Sequence, residues 1–271
     1  MAQPLYVIKA GGRVIEKNMT SIVADITDIA RNEKAKIVFV HGGGDLVTKY
    51  SEKLGVEPRF VTSPSGIRSR YTSREELEVY LMVMAGLLNK SIVAMIESKG
   101  VPAIGLTGAD GGVVMGERKK RIIVVDERGR RRVIEGGYTG KITRVDGDLL
   151  LRLFELFDVV VISPVILGNE GELLNVDGDQ IASRIAATLN AETLVVLSDV
   201  DGVIIDNSLV TKVTMEEARA LAEKVGVGMN RKLLMAADCV DKGVGSVVIC
   251  NGLYDKPVYK CLDGIGTVIS K

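Results

Sequence analysis

The sequence predicts an α/β protein, a three-layer αβα sandwich with a mainly parallel central sheet. Short apolar runs alternate with longer amphipathic segments along the 271 residues, which is the pattern of strands joined by crossover helices. Glycine occurs 30 times and hydrophobic residues make up 46% of the chain, as in a packed core with many tight turns. The length suits one domain or two small lobes that share a sheet.

The predicted elements follow from local residue patterns. Clusters of β-branched residues predict strands at residues 5–10, 36–40, 103–106, 121–126, 132–135, 159–163, 193–198, 247–250 and 268–269. Apolar residues at helical spacing predict helices at residues 19–31, 45–54, 73–99, 146–156, 180–189, 215–224 and 232–242. The longest helix starts at Thr72 or Ser73, which two glutamates follow, and it ends before the Gly-Val-Pro at 100–102.

The overall charge and the apolar runs argue against nucleic-acid and membrane partners. Thirty-five basic residues balance 35 acidic ones, so the whole chain has no net attraction for a polyanion. The longest apolar run, at 159–167, contains a Ser-Pro pair and is far shorter than the ~20 residues of a membrane span. The three cysteines, Cys239, Cys250 and Cys261, lack metal-binding spacing. We therefore expect a cytoplasmic protein with reduced thiols.

Two predicted strands end in glycine-rich segments. The first strand runs into Lys9-Ala10-Gly11-Gly12, and the second runs into His41-Gly42-Gly43-Gly44. The carboxyl ends of parallel strands bind ligands, and glycine lets backbone N–H groups approach a phosphate closely. An ordinary strand–helix turn also uses glycine, so either segment alone leaves both interpretations open. The second segment lacks the glycine-lysine pair of a Walker loop, and we expect a structural role for His41.

Further segments place charged groups near predicted turns. One loop has Arg68 and Arg70, whose planar guanidinium groups suit a carboxylate, although they also suit a solvated surface. Asp179 precedes a predicted helix, where it is either an N-cap or an organiser of nearby cations. The acidic turn at 198–203 follows a strongly apolar strand and suits a ribose hydroxyl or an Asx turn. Lys232 begins a predicted helix and offers a second cation to a phosphoryl-transfer site.

In their order and content, these motifs resemble the amino acid kinase family, and particularly its acetylglutamate kinase branch. The matching segments are Lys9-x-Gly11-Gly12, His41-Gly42-Gly43-Gly44, Gly66-Ile67-Arg68, Leu174-Asn175-Val176-x-x-Asp179-Gln180, Leu197-Ser198-Asp199-Val200-x-Gly202-Val203 and Met229-x-x-Lys232. The family phosphorylates the side-chain carboxylate of an acidic amino-acid derivative with ATP. The resemblance implies one amino acid kinase domain over 1–271. Within it we expect an amino-acid and carrier-binding lobe at 1–174 and a nucleotide-binding lobe at 175–271.

The resemblance also implies a role for each matching residue. Lys9 and Lys232 would stabilise the transition state, and Asp179 would hold both lysines in place. The residues expected to bind the backbone end of the substrate are Gly43, Gly44, Arg68 and Asn175. The residues expected at the nucleotide are Lys9, Gly11, Gly12, Ser198, Asp199, Asp201 and Lys232. We expect ATP and water to hold Mg²⁺, with no metal site on the protein itself, and we expect a homodimer.

The middle of the chain departs from ordinary acetylglutamate kinases. Its segments at 65–72, 108–112 and 135–142 resemble the archaeal and Thermus-type LysW-aminoadipate kinases. The substrate of those enzymes is attached through its α-amino group to the C-terminal glutamate of LysW, a small acidic carrier protein. Residues 117–132 contain eight basic side chains against three acidic ones, namely Arg118, Lys119, Lys120, Arg121, Arg128, Arg130, Arg131 and Arg132. We expect a β-hairpin that attracts LysW, the alternative being a solvated surface hairpin.

Other interpretations predict different behaviour. A kinase of free acetylglutamate would be active without a carrier and would give the basic hairpin no role. A non-catalytic nucleotide-binding regulator on the same fold should lack one of the charged residues. UMP and carbamate kinases share the fold, but Arg68 and Asn175 fit an amino-acid substrate better. Carrier-bound glutamate is an expected second substrate, because a pocket discriminates one methylene by only ~1–3 kcal/mol.

Overall fold

A computed structural model describes residues 3–271 and confirms the predicted αβα sandwich. Its central sheet has eight strands. In spatial order they are β16 (Lys212–Thr214), β18 (Thr267–Ser270), β17 (Ser246–Asn251), β13 (Thr193–Ser198), β1 (Leu5–Ala10), β2 (Lys36–His41), β10 (Val159–Ser163) and β5 (Ala103–Thr107). Within residues 3–271, all neighbouring pairs of this sheet are parallel except β17 and β18.

Helices cover both faces of this sheet. One face carries α1 (Gly12–Asn32), α2 (Gly44–Lys53), α3 (Arg74–Leu81), α4 (Asn89–Glu97) and α9 (Pro257–Leu262). The other face carries α5 (Gly147–Leu153), α6 (Gly178–Leu189), α7 (Met215–Ala222) and α8 (Val227–Asp241). Alternate strand residues enter separate cores, so Val7 and Val38 pack towards α5–α8, whereas Ile8 and Phe39 pack towards α1–α4. Burial on both faces explains the continuous apolar runs of the strands.

Three smaller sheets accompany the central one. The first contains β12 (Leu173–Asn175), β11 (Val165–Gly168), β6 (Val114–Arg118) and β9 (Gly140–Val145). The second contains β4 (Arg68–Tyr71), β3 (Arg59–Thr62), β7 (Arg121–Val125) and β8 (Arg131–Glu135), and the third contains β14 (Val203–Ile205) and β15 (Ser208–Val210). The predicted hairpin is confirmed as β7 and β8. The sequence does not predict the other strands of these sheets, because runs of three to six residues are too short for a clear period.

Two helices begin earlier than the sequence predicts. α1 starts at Gly12 instead of residue 19, and α8 starts at Val227 instead of residue 232. Inside α1, Asn18 has a non-helical φ of −141°, and its side-chain amide donates to the carbonyl oxygens of Gly252 and Tyr254, each at 2.8 Å. This break interrupts the apolar period of α1 and hides its first turns from a pattern search. As a result, α1 begins directly at the first glycine-rich segment.

The predicted long helix is confirmed as a continuous helix over Arg74–Glu97. A π-helical segment, Met82–Leu88, joins α3 to α4, and Ser73 caps the helix by accepting from the backbone of its third residue. One side packs on the sheet, whereas Met82 and Leu87 on the other side are 60% and 43% exposed. The length and hydropathy of this helix also fit a membrane span, but 44% of its most apolar window is buried inside the protein. Buried helices in the cores of soluble proteins can have the same length and hydropathy, so these two properties alone do not indicate a membrane span.

The prediction of three reduced thiols is wrong for two of the cysteines. Cys250 at the end of β17 and Cys261 in α9 form a disulfide, with their Cα atoms 6.0 Å apart. The packing of α9 beside the sheet brings these two residues within the Cα separation that a disulfide spans. Cys239 is a free, buried cysteine, as expected. Spacing along the chain does not reveal this pair, because the contact between α9 and β17 creates it.

The single histidine, His41, is fully buried at the end of β2. Its Nδ1 lies 3.3 Å from the carbonyl oxygen of Gly42, and its Nε2 lies 3.5 Å from the side-chain amide nitrogen of Asn89. These contacts fit a neutral ring that donates from Nδ1 and accepts at Nε2. Burial lowers the pKa of His41 from 6.5 to about 4, because a charged ring would lose its hydration.

This burial predicts a pH dependence of stability that originates at His41. The unfolded chain binds a proton below pH ~6.5 and the folded protein only below about pH 4, so acidification through that window favours unfolding. Between pH 7 and pH 4.5 we expect the wild type to lose about 2 kcal/mol of unfolding free energy from this residue, and His41→Gln to show a shallower slope. Urea unfolding between pH 7 and pH 4.5 measures both slopes. A histidine ring signal that titrates near pH 6.5 in the folded protein would contradict the prediction.

Candidate active site

The two glycine-rich segments meet at the carboxyl edge of the central sheet. β1 and β2 are neighbours, with Ala10 opposite His41, so the glycines that follow them lie side by side. A Cβ atom on Gly42 would stand 2.7 Å from the backbone nitrogen of Gly12, a distance that real Cβ atoms essentially never show. Glycine is therefore required by space at this contact. The close approach places the starts of α1 and α2 next to each other.

Both helices present uncapped N-termini at this edge. The N-cap residues are Gly11 for α1 and Gly43 for α2, and neither helix has a side-chain cap. The first N–H groups of a helix have no partner within the helix, and together with the helix dipole they attract anions. Two adjacent helix starts with glycine caps therefore suit a ligand with several negatively charged oxygens.

Asp179 joins the two lysines that the sequence analysis selected. Lys9 Nζ lies 2.7 Å from Asp179 Oδ1, and Lys232 Nζ lies 2.7 Å from Asp179 Oδ2. The three side chains come from the end of β1, the first turn of α6 and the second turn of α8. Asp179 is not the N-cap of α6, because Asp177 fills that position and accepts from the backbone N–H groups of Asp179 and Gln180. Of the two interpretations of Asp179, the geometry supports the organiser of cations.

The electrostatics of this cluster keep Lys9 and Asp179 charged. Burial works to raise the pKa of Asp179, but the ammonium groups of Lys9 and Lys232 outweigh it and hold that pKa below its ordinary value. Burial likewise works to lower the pKa of Lys9, and Asp179 raises it above its ordinary value. The cluster thus has one negative and two positive charges, which leaves a net positive charge for an incoming anion.

Two cavities meet at this cluster. The large cavity has a volume of about 570 Å³, and the small cavity has a volume of about 250 Å³. Lys9 and Gly12 line both of them, so the two cavities adjoin at these residues. Ligands bound in the two cavities would therefore both lie beside Lys9. This arrangement suits the transfer of a charged group between two ligands.

The large cavity collects the residues predicted to bind the backbone end of a substrate. Its lining includes Gly43, Gly44, Arg68 and Asn175. Arg68 stacks on the ring of Phe60 at 4.1 Å, and within residues 3–271 it has no carboxylate partner. Its guanidinium group is therefore available to a ligand.

Arg70, the other arginine of that loop, is committed to the protein itself. It pairs with the buried Glu76 and also donates to the Gly44 carbonyl oxygen at 2.8 Å and to Thr48 Oγ1 at 2.6 Å. These contacts tie β4 to the start of α2. The sequence does not distinguish Arg68 from Arg70 as a candidate for ligand binding, whereas their tertiary contacts do.

The small cavity collects most of the residues predicted at the nucleotide. Its lining includes Lys9, Gly11, Gly12, Ser198, Asp199 and Lys232. Asp201 lies outside that lining and instead accepts hydrogen bonds from Asn251 at 2.8 Å and from Tyr254 at 2.6 Å. Its predicted contact with the nucleotide therefore remains a prediction. Within residues 3–271 there is no group of three His, Cys, Asp or Glu side chains that could hold a metal ion.

Sequence reasoning missed several residues of the two cavities. Arg13 lines the small cavity and lies 3.0 Å from Asp199, and Tyr80 and Arg231 line the large cavity. Arg13 directly follows the first glycine pair, and this position was a usable signal. Tyr80 lies within a long amphipathic helix, where nothing distinguishes a cavity-lining position from a core position.

The basic segment divides into cations with different partners. Arg118 stacks on Tyr138 at 4.4 Å, Lys120 pairs with Glu170 at 2.8 Å, and Arg130 and Arg132 both pair with Asp126. Lys119 lines the large cavity. Among the described residues, Arg121, Arg128 and Arg131 have no carboxylate partner. On one side of the hairpin, the exposed apolar residues Ile123 and Val133 form a cross-strand pair, with Arg121 opposite Glu135 at one end and Arg131 at the other. This side, the hairpin face, has an apolar centre with two arginines and one glutamate at its rim.

Comparison with known proteins agrees with this geometry. The model of the amino acid kinase family matches residues 4–251. The chain belongs to the amino acid kinase family. A LysW-aminoadipate/LysW-glutamate kinase of Saccharolobus islandicus (strain Y.N.15.51 / Yellowstone #2) is 52% identical over 266 residues, which are 98% of this chain and 99% of that protein. The protein of the same name from Metallosphaera sedula is 51% identical over 267 residues, which are 98% of this chain and 100% of that protein.

Solved structures of other amino acid kinase folds superpose on this one. N-acetylglutamate synthase from Neisseria gonorrhoeae matches with a TM-score of 0.81 and 24% identity, covering 100% of this chain and 60% of that chain. Carbamate kinase from Giardia lamblia, solved with AMP-PNP, matches with a TM-score of 0.68 and 17% identity, covering 100% of this chain and 99% of that chain. At these identities the likeness concerns the fold alone.

The buried charge cluster predicts a large effect of Asp179→Asn on stability. Removing the carboxylate leaves two buried ammonium groups side by side, and we expect the unfolding free energy at pH 7 to fall by about 3–5 kcal/mol. The control is Asp158→Asn, which breaks a 2.7 Å pair with Lys36 at a more exposed position and should cost no more than about 1 kcal/mol. Adding Lys232→Met to Asp179→Asn should restore part of the loss. Equal effects of the two single variants in urea unfolding would contradict this account.

Proposed function

We propose that this amino acid kinase transfers the γ-phosphoryl group of ATP to the side-chain carboxylate of LysW-bound 2-aminoadipate. LysW-bound glutamate is the proposed second substrate, and an acyl phosphate is the product. The observation that carries the proposal is the net positive cluster of Lys9, Asp179 and Lys232 beside two adjoining cavities. The names of relatives about 51% identical to this chain support the choice of acceptor.

In this proposal ATP occupies the small cavity. Its phosphates lie against the N-terminus of α1, where Gly11 and Gly12 leave room for close approach, and its ribose side lies towards Ser198, Asp199 and Asp201. Mg²⁺ accompanies the nucleotide and keeps several waters, because the described part of the chain has no cluster of carboxylates to bind it.

The acceptor occupies the large cavity with its reacting carboxylate beside Lys9. Gly43 and Gly44 offer N–H groups, Arg68 offers a guanidinium group, and Asn175 is held by a 2.9 Å hydrogen bond from its amide to Thr72. A carboxylate is already ionised at neutral pH, so the transfer needs no general base. Catalysis consists of positioning two anions in line and neutralising the charge of the moving phosphoryl group, for which Lys9 and Lys232 are placed.

LysW docks on the hairpin face, which is defined by Arg121, Ile123, Arg131 and Val133. Arginines without a carboxylate partner attract an acidic carrier over a distance, and the exposed apolar pair supplies contact area once it has docked. We also propose a homodimer that packs through the exposed side of the 74–97 helix, where Met82 and Leu87 lie. The proposed location is cytoplasmic, where the Cys250–Cys261 disulfide would be of the kind found in intracellular proteins of hyperthermophiles.

The acceptor assignment predicts a strict order of activities. Hydroxylamine traps the acyl phosphate as a hydroxamate, and this product is measured with LysW-aminoadipate, LysW-glutamate, N-acetylglutamate and free aminoadipate as acceptors. We expect efficient turnover with the two LysW-bound substrates. The ratio of their kcat/KM values measures the preference between aminoadipate and glutamate, which differ by one methylene. Efficient turnover of N-acetylglutamate would instead make this an acetylglutamate kinase and leave the hairpin face without a function.

The hairpin face predicts a difference between arginines with and without a carboxylate partner. Two double variants remove the same charge: Arg121→Gln with Arg131→Gln, and Arg130→Gln with Arg132→Gln. We expect the first to raise the KM for LysW-aminoadipate about 10-fold and the second by no more than about 3-fold, because Arg130 and Arg132 already pair with Asp126. Neither variant should change ATP affinity. Equal KM values for the two variants would contradict docking on the hairpin face, because they would mean that only the total positive charge of the hairpin affects LysW binding.

A further inference from the structure

The large cavity has more cations than the reacting carboxylate and one backbone carboxylate require. Its lining contains Lys9, Arg68, Arg70, Lys119 and Arg231. Three of these have carboxylate partners on the protein: Lys9 pairs with Asp179, Arg70 pairs with Glu76, and Arg231 lies 3.2 Å from Asp177. Within residues 3–271, Arg68 and Lys119 have none. These two cations are available to anionic groups of the acceptor other than the carboxylate that reacts.

Local backbone contacts fix Lys119 at the cavity wall. It lies in the connection between β6 and β7, where its N–H donates to the Thr139 carbonyl oxygen at 2.9 Å. Its own carbonyl packs so closely on Gly136 that a Cβ there would overlap it. Its chain neighbours are engaged elsewhere, Arg118 on Tyr138 and Lys120 on Glu170. Lys119 is thus the residue of the basic segment that lines the cavity.

The surroundings of Lys119 leave its charge poorly compensated. Burial lowers the pKa of its ammonium group, and the nearby Arg231 and Lys141 lower it further, while Asp177 works in the opposite direction. Asp177 is already engaged by Arg231 and by the N-terminus of α6. A half-buried cation without a counter-ion is unfavourable, and an incoming carboxylate would relieve it. A nucleotide phosphate does not suit this position, because Lys119 does not line the small cavity.

We propose that Lys119 binds a carboxylate on the acyl group attached to the amino nitrogen of the acceptor, while Arg68 binds the carboxylate of its α-carbon. This assignment rests on the proposed function and extends it to a class of acceptor, an N-acyl amino acid whose acyl group is itself an anion. An acetyl group has no such charge and leaves Lys119 without a partner. Lys119 thereby discriminates a carrier-linked acceptor from a small acetylated one inside the cavity, independently of the hairpin face.

The test uses two small acceptors that need no carrier protein. The first is γ-glutamyl-2-aminoadipate, in which one glutamate carboxyl forms the amide and the other is a free carboxylate. The second is the same compound with that carboxylate converted to a carboxamide. Calorimetry measures the affinity of each compound for the wild type, for Lys119→Met and for Lys141→Met. The last is a control for nearby charge, because Lys141 is close enough to lower the pKa of Lys119 but pairs with Glu117 at 3.1 Å and does not line the large cavity.

We expect the wild type and Lys141→Met to bind the acid about 10- to 100-fold more tightly than the amide, as for one charge-assisted hydrogen bond. Lys119→Met should bind the two compounds within about 2-fold of each other, since the partner of the carboxylate is gone. Affinity for a non-hydrolysable ATP analogue should be unchanged in Lys119→Met and reports that the variant is folded.

The inference is overturned if the wild type does not prefer the acid, including the case in which it binds neither compound measurably. It is also overturned if Lys119→Met keeps the preference. Failure of the proposed function has a different signature, which is efficient turnover of N-acetylglutamate by the wild type. The two failures are therefore distinguishable, because one concerns the second carboxylate and the other concerns the need for a charged N-acyl group at all.

Discussion

The ion cluster of Lys9, Asp179 and Lys232 is the interaction on which the rest of the site depends. It ties the end of β1 to the first turn of α6 and to α8, and so joins segments 223 residues apart in sequence. Buried charges are costly when a partner is missing, so each of the three groups requires the others. The same net positive charge that must be stabilised within the fold is available to an incoming phosphoryl group. In the proposed function, the carboxylate that stabilises the two lysines in the fold also holds them in place for the phosphoryl group.

Close backbone contact is the second constraint. Gly42 touches the backbone at Gly12, and this contact sets the starts of α1 and α2 side by side at one sheet edge. The two cavities adjoin at the same place, where Lys9 and Gly12 line both. A side chain at this contact would push the two helix starts apart. Glycine is needed at position 42 because it has no side chain, and not because it makes the backbone flexible.

The number of basic residues in a sequence segment differs from the number of cations that the folded protein leaves available to a partner. The basic segment contains eight cations, yet Arg130 and Arg132 share Asp126, Lys120 pairs with Glu170, and Lys119 lines a cavity. The cations available to a partner are therefore fewer than the sequence suggests, and they face in different directions. In the proposed function, recognition of a carrier-bound substrate is divided between the hairpin face outside and Lys119 inside.

The sequence by itself determined the fold class, most elements of the central sheet and the residues of the charge cluster. Apolar periodicity and glycine-rich strand ends involve residues that are close together in the sequence, so they can be recognised without the structure. Only the tertiary structure decided which of Arg68 and Arg70 is available, that Asp179 is not a helix cap, and that Cys250 pairs with Cys261. It also placed Lys119 in the cavity and formed the short strands. Each of these depends on partners far away in sequence, and only packing brings such partners together.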